Sequence, residues 1–293
     1  MTLPRLKPDP IPAIHPLPEY LATGQRKAWY EDMKQVLQVP WMGVVTMAFS
    51  HYPHFYETLW NGTRDLCRSE PFVEACQGNR AFVEAEIEAL NPSSITDSLY
   101  GLGYAPNEID TIRRMIDVFG HGNQPYLILA TLARTLLEGG EMTGRTDAAP
   151  IFTGRHAPDH AVPLVLMEAH HADEPTRAVY EDVKSVLGLP FVNTDYRALG
   201  RWPSYWSKAW TGLREAVNTS AHEALCDKVH QRCLELANIL PNPARLSAEA
   251  LRSAAERDGD QEEIRDMCRL FQWLLPGLVV NVAFLRAQLE PDV

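Results

Sequence analysis

Residues 28–60 of this chain recur, 150 positions later, as residues 178–210. AWYEDMKQVLQVPWMGVVTMAFSHYPHFYETLW and AVYEDVKSVLGLPFVNTDYRALGRWPSYWSKAW align without a gap and are identical at 11 of 33 positions: Ala28, Tyr30, Glu31, Asp32, Lys34, Val36, Leu37, Pro40, Ala48, Pro53 and Trp60. A second match follows at an offset of 152, where Ile112, Arg113, Met115 and Phe119 reappear as Ile264, Arg265, Met267 and Phe271. Such repetition constrains the fold more than composition does, because one supersecondary unit is used twice.

The repeated unit reads as helical. Tyr30, Met33, Val36 and Leu37 form an apolar stripe at helical spacing, and Tyr180, Val183, Val186 and Leu187 repeat it. Pro40 and Pro190 follow each stripe, where they end the helix. Pro53 and Pro203 suit the first turn of a second helix, running to about Cys67 and Val217. Periodicity predicts further helices over 72–89, 107–120 and 125–138, with counterparts over 219–238, 260–274 and 277–288. No segment alternates with the period of a strand. The Gly- and Pro-rich stretch 138–163 reads as a linker. The expected architecture is all-α: two homologous helical repeats, 1–137 and 164–293, packed as a pseudo-twofold dimer within one chain.

A formal charge of −11 argues against a nucleic-acid or anionic-membrane partner, and leaves room for a small anion inside a pocket. Six prolines in the first twenty residues, with no apolar core, do not make a signal peptide. The apolar stretch Trp273–Leu285 reads as too short and too interrupted to span a bilayer. Five cysteines without a CxxC pair fit free thiols in a reducing compartment, so a cytoplasmic location is expected. His51/His54, His156/His160 and His170/His171 have ligand-like spacings but fall in loops without a Cys or carboxylate cluster, so no metal site is expected.

The two copies differ in an informative way. Val44-Val45 of the first copy becomes Thr194-Asp195 in the second, placing a carboxylate where an apolar template has valine. Asp195 is either a helix cap or loop residue, or a general base in a pocket. Likewise Gly120-His121-Gly122-Asn123 faces Gln272-Trp273-Leu274-Leu275, so Asn123 stands against Leu275. Gly-x-Gly-Asn is either a helix C-cap or a functional turn.

At these residues the chain resembles the DL-2-haloacid dehalogenases of group I, the DehI family. The resemblance rests on Val39-Pro40-Trp41, Tyr52-Pro53 with Trp60, Gly122-Asn123 before Tyr126-Leu127, and Thr194-Asp195-Tyr196-Arg197-Ala198-Leu199 leading to Trp202-Pro203. It implies an all-helical pseudo-dimer with the active site between its repeats, acting without metal or organic cofactor and assembled as a homodimer. The implied substrates are small anionic 2-haloacids of either configuration, converted to 2-hydroxy acids with inversion. By motif, Asp195 matches the catalytic aspartate and Asn123 the water-positioning asparagine; Trp41, Val44, Thr194 and Trp273 match substrate-pocket positions. Val44 stands where an aromatic is expected, Thr194 for serine and Trp273 for tyrosine. These departures bear on chain length and enantiomer preference. Glu74 is the nearest match to a further family glutamate and reads as structural.

On this reading Asp195 takes a proton from a water held with Asn123, and the water attacks C2 of the substrate. Backbone N–H groups at the helix start around Asn193–Asp195 offer a place for the substrate carboxylate. One site per chain is expected, because Val45 and Leu275 leave the twin position without a base. Three rival readings remain: Asp195 as a covalent nucleophile, a helical enzyme of the carboxymuconolactone decarboxylase type, and a non-enzymatic helical binding protein.

Overall fold

The computed structural model describes residues 3–159 and 163–290. His160, one of the histidines singled out by spacing, and part of the 138–163 linker lie outside these residues. The described residues are helical with no strand, as the periodicity predicts: α1 (Gly24–Leu37), α2 (Val44–Phe49), α3 (Pro53–Cys67), α4 (Glu70–Glu86), α5 (Thr96–Gly101), α6 (Pro106–Leu137), α7 (Glu174–Leu187), α8 (Thr194–Leu199), α9 (Pro203–Ala216), α10 (Ser220–Ile239), α11 (Ala248–Asp258) and α12 (Gln261–Ala287).

Local chemistry explains many of the boundaries. Pro53 and Pro203 open α3 and α9, where a missing N–H is harmless. Helix α7 ends on Gly188 in the left-handed region, and α1 ends on Gln38 with φ 52°. A left-handed glutamine is uncommon, and its side chain is anchored by the linker. Its Nε2 donates to the Gly154 carbonyl at 2.9 Å, and its Oε1 accepts the His156 N–H at 3.0 Å. The first turn of α3 is capped from a distance, with the N–H groups of His54 and Phe55 donating to the Asp258 carboxylate at 3.1 and 2.7 Å.

Contacts recur at the sequence offset. Trp60 Nε1 and Arg64 both donate to Asp32, at 2.8 and 2.7 Å. Trp210 Nε1 and Arg214 bond Asp182 in the same way, both at 2.8 Å. The arginine beside each aspartate holds its carboxyl below the usual range. The Tyr30 hydroxyl donates to the Leu17 carbonyl at 3.0 Å, and Tyr180 to that of Met167 at 2.8 Å.

Two expectations are corrected. The helices predicted over 107–120 and 125–138 are one helix, α6, and those over 260–274 and 277–288 are one helix, α12. Each carries an internal proline, Pro125 or Pro276, that removes one ladder hydrogen bond without ending the helix. Because α12 is continuous, it is long and apolar enough to cross a membrane by length and composition, contrary to the sequence reading. Its most apolar window is 78% buried inside the protein, as in a core helix.

The chain forms two compact units that do not follow the two halves of the sequence. Unit 1 comprises Met1–Arg80, Gly122–Ala157 and Asp227–Pro276. Unit 2 comprises Ala81–His121, Pro158–Cys226 and Gly277–Val293. In unit 1, α3 packs on α11, and Gly62 leaves room for Leu246, which a Cβ would meet at 2.9 Å. In unit 2, α7 and α8 pack on α9.

Candidate active site

Helices α2 and α8 are six-residue twins, and their second residues are Val45 and Asp195. Both are buried to the same degree, each 3% exposed. Asp195 is therefore neither a cap nor a solvated loop residue. The cap position belongs to Asn193, whose side chain makes no cap bond. A carboxylate in a first helical turn meets the positive end of the helix dipole, which favours its presence there.

Within unit 2, the residue after Asp195 is held by a buried polar chain. Asn281 Nδ2 donates to the Tyr196 hydroxyl at 2.9 Å, and Asn281 Oδ1 pairs with His222 Nε2 at 2.9 Å. Cys226 Sγ approaches His222 Nδ1 at 3.7 Å. The Tyr196 ring stacks on Trp206 with centroids 5.2 Å apart, and burial pushes its phenol well above the usual range. The first copy has Thr46 and Phe72 where the second has Tyr196 and His222, and Leu129 stands against Asn281 at offset 152. The polar chain thus belongs only to the copy that carries the carboxylate.

Thr194 is buried, and its hydroxyl accepts from Arg197 Nη2 at 3.3 Å, while Arg197 Nη1 donates to Glu168 at 2.6 Å. Asn193 Oδ1, two residues before Asp195, is a buried acceptor with no hydrogen-bond partner. A buried acceptor of this kind calls for a water or a ligand donor.

Trp41, Val44, Asn123 and Trp273 belong to unit 1. Trp41 and Asn123 are buried, while Val44 and Trp273 are half-buried. The segment Gly120–Asn123, offered by its composition as a helix end, lies inside α6. Interior glycine disfavours a helix by roughly 0.5–1 kcal/mol relative to alanine, so Gly122 needs a reason. The indole of Trp41 supplies one: a Cβ on Gly122 would lie 2.3 Å from Trp41 Cη2 and 2.9 Å from Cζ3.

Tyr126, one turn on from Gly122 along α6, also holds Trp41, its hydroxyl donating to the Trp41 carbonyl at 2.6 Å. The Tyr126 ring in turn occupies the space where a Gly43 Cβ would stand, at 2.8 Å. The structure therefore brings Trp41, Gly43, Gly122 and Tyr126 together, immediately beside Asn123 and Val44 in the chain. Trp273 sits on α12, with Lys7 Nζ 5.4 Å from its ring centroid and Arg5 Nη1 3.4 Å from its carbonyl. Glu74 is exposed on α4.

All five cysteines are buried free thiols. Burial pushes Cys233 up to about 12 and raises Cys67, Cys76 and Cys268, so these four hold no ready thiolate for peroxidase chemistry. Among the described residues no group of three or more His, Cys, Asp or Glu side chains is arranged to hold a metal ion.

Comparison with known proteins gives a consistent result, although no family model matches the chain. An (R)-2-haloacid dehalogenase of Rhizobium sp. (strain NHG3) is 44% identical over 248 residues, 84% of this chain and 96% of that protein. A configuration-inverting 2-haloacid dehalogenase of Alcaligenes xylosoxydans xylosoxydans is 24% identical over 250 residues, 83% of each chain. The solved structure of a D-2-haloacid dehalogenase in complex with L-LA superposes with a TM-score of 0.87 at 33% identity, covering 99% of this chain and all of that one.

Proposed function

The chain belongs to the 2-haloacid dehalogenase family, and from that premise we infer that it hydrolyses the carbon–halogen bond of short 2-haloalkanoic acids to 2-hydroxy acids of inverted configuration. The observation that carries the chemistry is the buried carboxylate of Asp195, set in the first turn of α8 where the twin helix α2 buries Val45.

Displacement of halide from a saturated carbon needs a nucleophile in line with the leaving group. In the proposed reaction Asp195 accepts a proton from water, the water oxygen bonds C2, and the halide leaves with the bonding electrons. Asn123 orients that water. In-line attack inverts C2, as in the configuration-inverting relative. Trp41, Val44, Thr194 and Trp273 line the substrate pocket, and aromatic walls keep bulk water from the halogen. The relative at 44% identity is named for the (R) enantiomer, so we propose (R)-2-haloacids as the faster substrates, a preference the sequence left open.

Finer readings belong to the same proposal. Recurring contacts at the offset of 150 support two homologous repeats, 1–137 and 164–293, joined by the linker 138–163; their packing as a pseudo-dimer rests on the sequence resemblance. Assignment to the group I type, homodimer assembly and a cytoplasmic location rest on the sequence resemblance, composition and thiol content.

The test is Asp195→Asn, assayed by halide release from separate (R)- and (S)-2-chloropropionate. Loss of a general base lowers turnover by about 10²–10⁴-fold; retained activity on either enantiomer would remove Asp195 from its role. A single turnover in heavy-oxygen water tests direct attack, because label in the enzyme rather than in the hydroxy acid would mean a covalent ester.

A further inference from the structure

Gly122 stands in the interior of α6, with φ in the ordinary helical range, so backbone conformation does not require it. What requires it is the indole of Trp41. A Cβ at this position would meet Cη2 at 2.3 Å, Cζ3 at 2.9 Å and Cζ2 at 3.1 Å, all of them atoms of the six-membered ring. Contact between carbon atoms is comfortable only from about 3.5 Å, so an added methyl group displaces the ring edge by on the order of 1 Å.

The indole has little freedom to absorb that shift elsewhere. Trp41 is 4% exposed, its carbonyl is held by Tyr126, and the Tyr126 ring stands edge-on with centroids 6.1 Å apart. Tyr126 is itself seated against Gly43. Two glycines and two aromatics therefore form one interlock, whose yielding direction for the indole is away from the α6 backbone. The second copy does not repeat it. Phe191 replaces Trp41, Asn193 replaces Gly43, and Leu274 and Leu278 stand at offset 152 from Gly122 and Tyr126.

We propose that Gly122 is a specificity-determining position: by letting the Trp41 indole lie against the α6 backbone, it sets the room left for the substrate's carbon chain. This rests on the dehalogenase reading, in which Trp41 lines the pocket. Gly122→Ala pushes the indole off α6 and narrows the pocket. Trp41→Phe removes the Cη2 edge and relieves the clash.

The experiment measures kcat/KM for chloroacetate, 2-chloropropionate and 2-chlorobutyrate by halide release, with melting followed in parallel. For Gly122→Ala, the loss grows with chain length, and the 2-chlorobutyrate to chloroacetate ratio falls by about 10-fold or more, the scale of one methylene in a tight pocket. Gly122→Ala/Trp41→Phe recovers most of that ratio, and Trp41→Phe alone raises it above wild type. The single Trp41→Phe variant and the double variant carry the test if Gly122→Ala does not fold. Equal losses on all three acids, or a ratio unmoved in both Trp41→Phe backgrounds, would overturn the proposal while leaving the dehalogenase intact. No halide release by the wild-type chain would instead overturn the functional reading, and this one with it.

Discussion

Replacing Asn281 by leucine tests how the carboxylate-bearing helix is held. The side chain spans two buried groups, donating to the Tyr196 hydroxyl at 2.9 Å and pairing with His222 Nε2 at 2.9 Å. Tyr196 is fully buried, His222 is 3% exposed and Asn281 2%. Leucine has the same number and branching of side-chain heavy atoms, so no cavity is created, but both partners lose this bond. Stranding the Tyr196 hydroxyl costs about 1–3 kcal/mol and losing the one His222 bond about 0.5–1.5 kcal/mol, and the added apolar contact returns roughly 1 kcal/mol. The expected net loss is about 0.5–3.5 kcal/mol, within the total stability of about 5–15 kcal/mol that folded domains hold.

The assay is a double-mutant cycle by urea unfolding with Tyr196→Phe as the partner. Tyr196→Phe removes the hydroxyl and strands Asn281 Nδ2 instead, for about 1–2 kcal/mol. If the two groups act as one chain, the double variant loses less than the sum, with a coupling of about 1 kcal/mol or more. Turnover falls with stability, because Tyr196 follows Asp195 in a helix of only six residues. A loss below about 0.5 kcal/mol for Asn281→Leu, or additive effects in the cycle, would refute the reasoning.

Two further outcomes follow from buried groups. His230 is 5% exposed, its Nε2 lies 2.6 Å from the Leu3 carbonyl, and its Nδ1 is buried without a partner, so burial holds its pKa below the usual value. The unfolded chain then binds a proton that the folded chain refuses, and stability falls as pH drops below about 6.5. Melting temperatures across pH 5–7 report this as a slope of at most about 1.4 kcal/mol per pH unit, which His230→Gln flattens; an unchanged slope would assign the acid sensitivity elsewhere. Asn193→Ala removes the buried, unpaired Oδ1 beside Asp195. If that atom receives a water or substrate hydrogen, kcat/KM for 2-chloropropionate drops by about 10-fold, the scale of one hydrogen bond, while melting is unchanged or rises. A loss of stability without a kinetic change would make the Asn193 side chain structural and refute this role.

The helix starts at Pro53 and Pro203 were legible because proline acts locally, through its own ring and its own missing N–H. Gly120–Asn123 was misleading for a related reason. Glycine and asparagine mark helix ends by local preference, but at Gly122 the preference is overridden by an indole from 81 positions earlier in the chain, and Pro125 then sits inside the helix rather than after it. A glycine selected by a tertiary contact looks, in one sequence, the same as a glycine selected by a turn.

Asp195 was legible only because the chain carries its own control: the twin position shows what the scaffold needs without the chemistry, and it needs Val45. The same comparison reaches the polar chain behind it. Tyr196 against Thr46 and His222 against Phe72 are visible at offset 150, yet neither has a local signature, and Asn281 joins them only when α12 is folded beside them in unit 2. Polar residues at apolar positions of one copy therefore identify where a buried network can exist, and only the fold identifies which of them are joined. If the Asn281 cycle shows coupling, divergence between the copies will have marked the support of the carboxylate as well as the carboxylate itself.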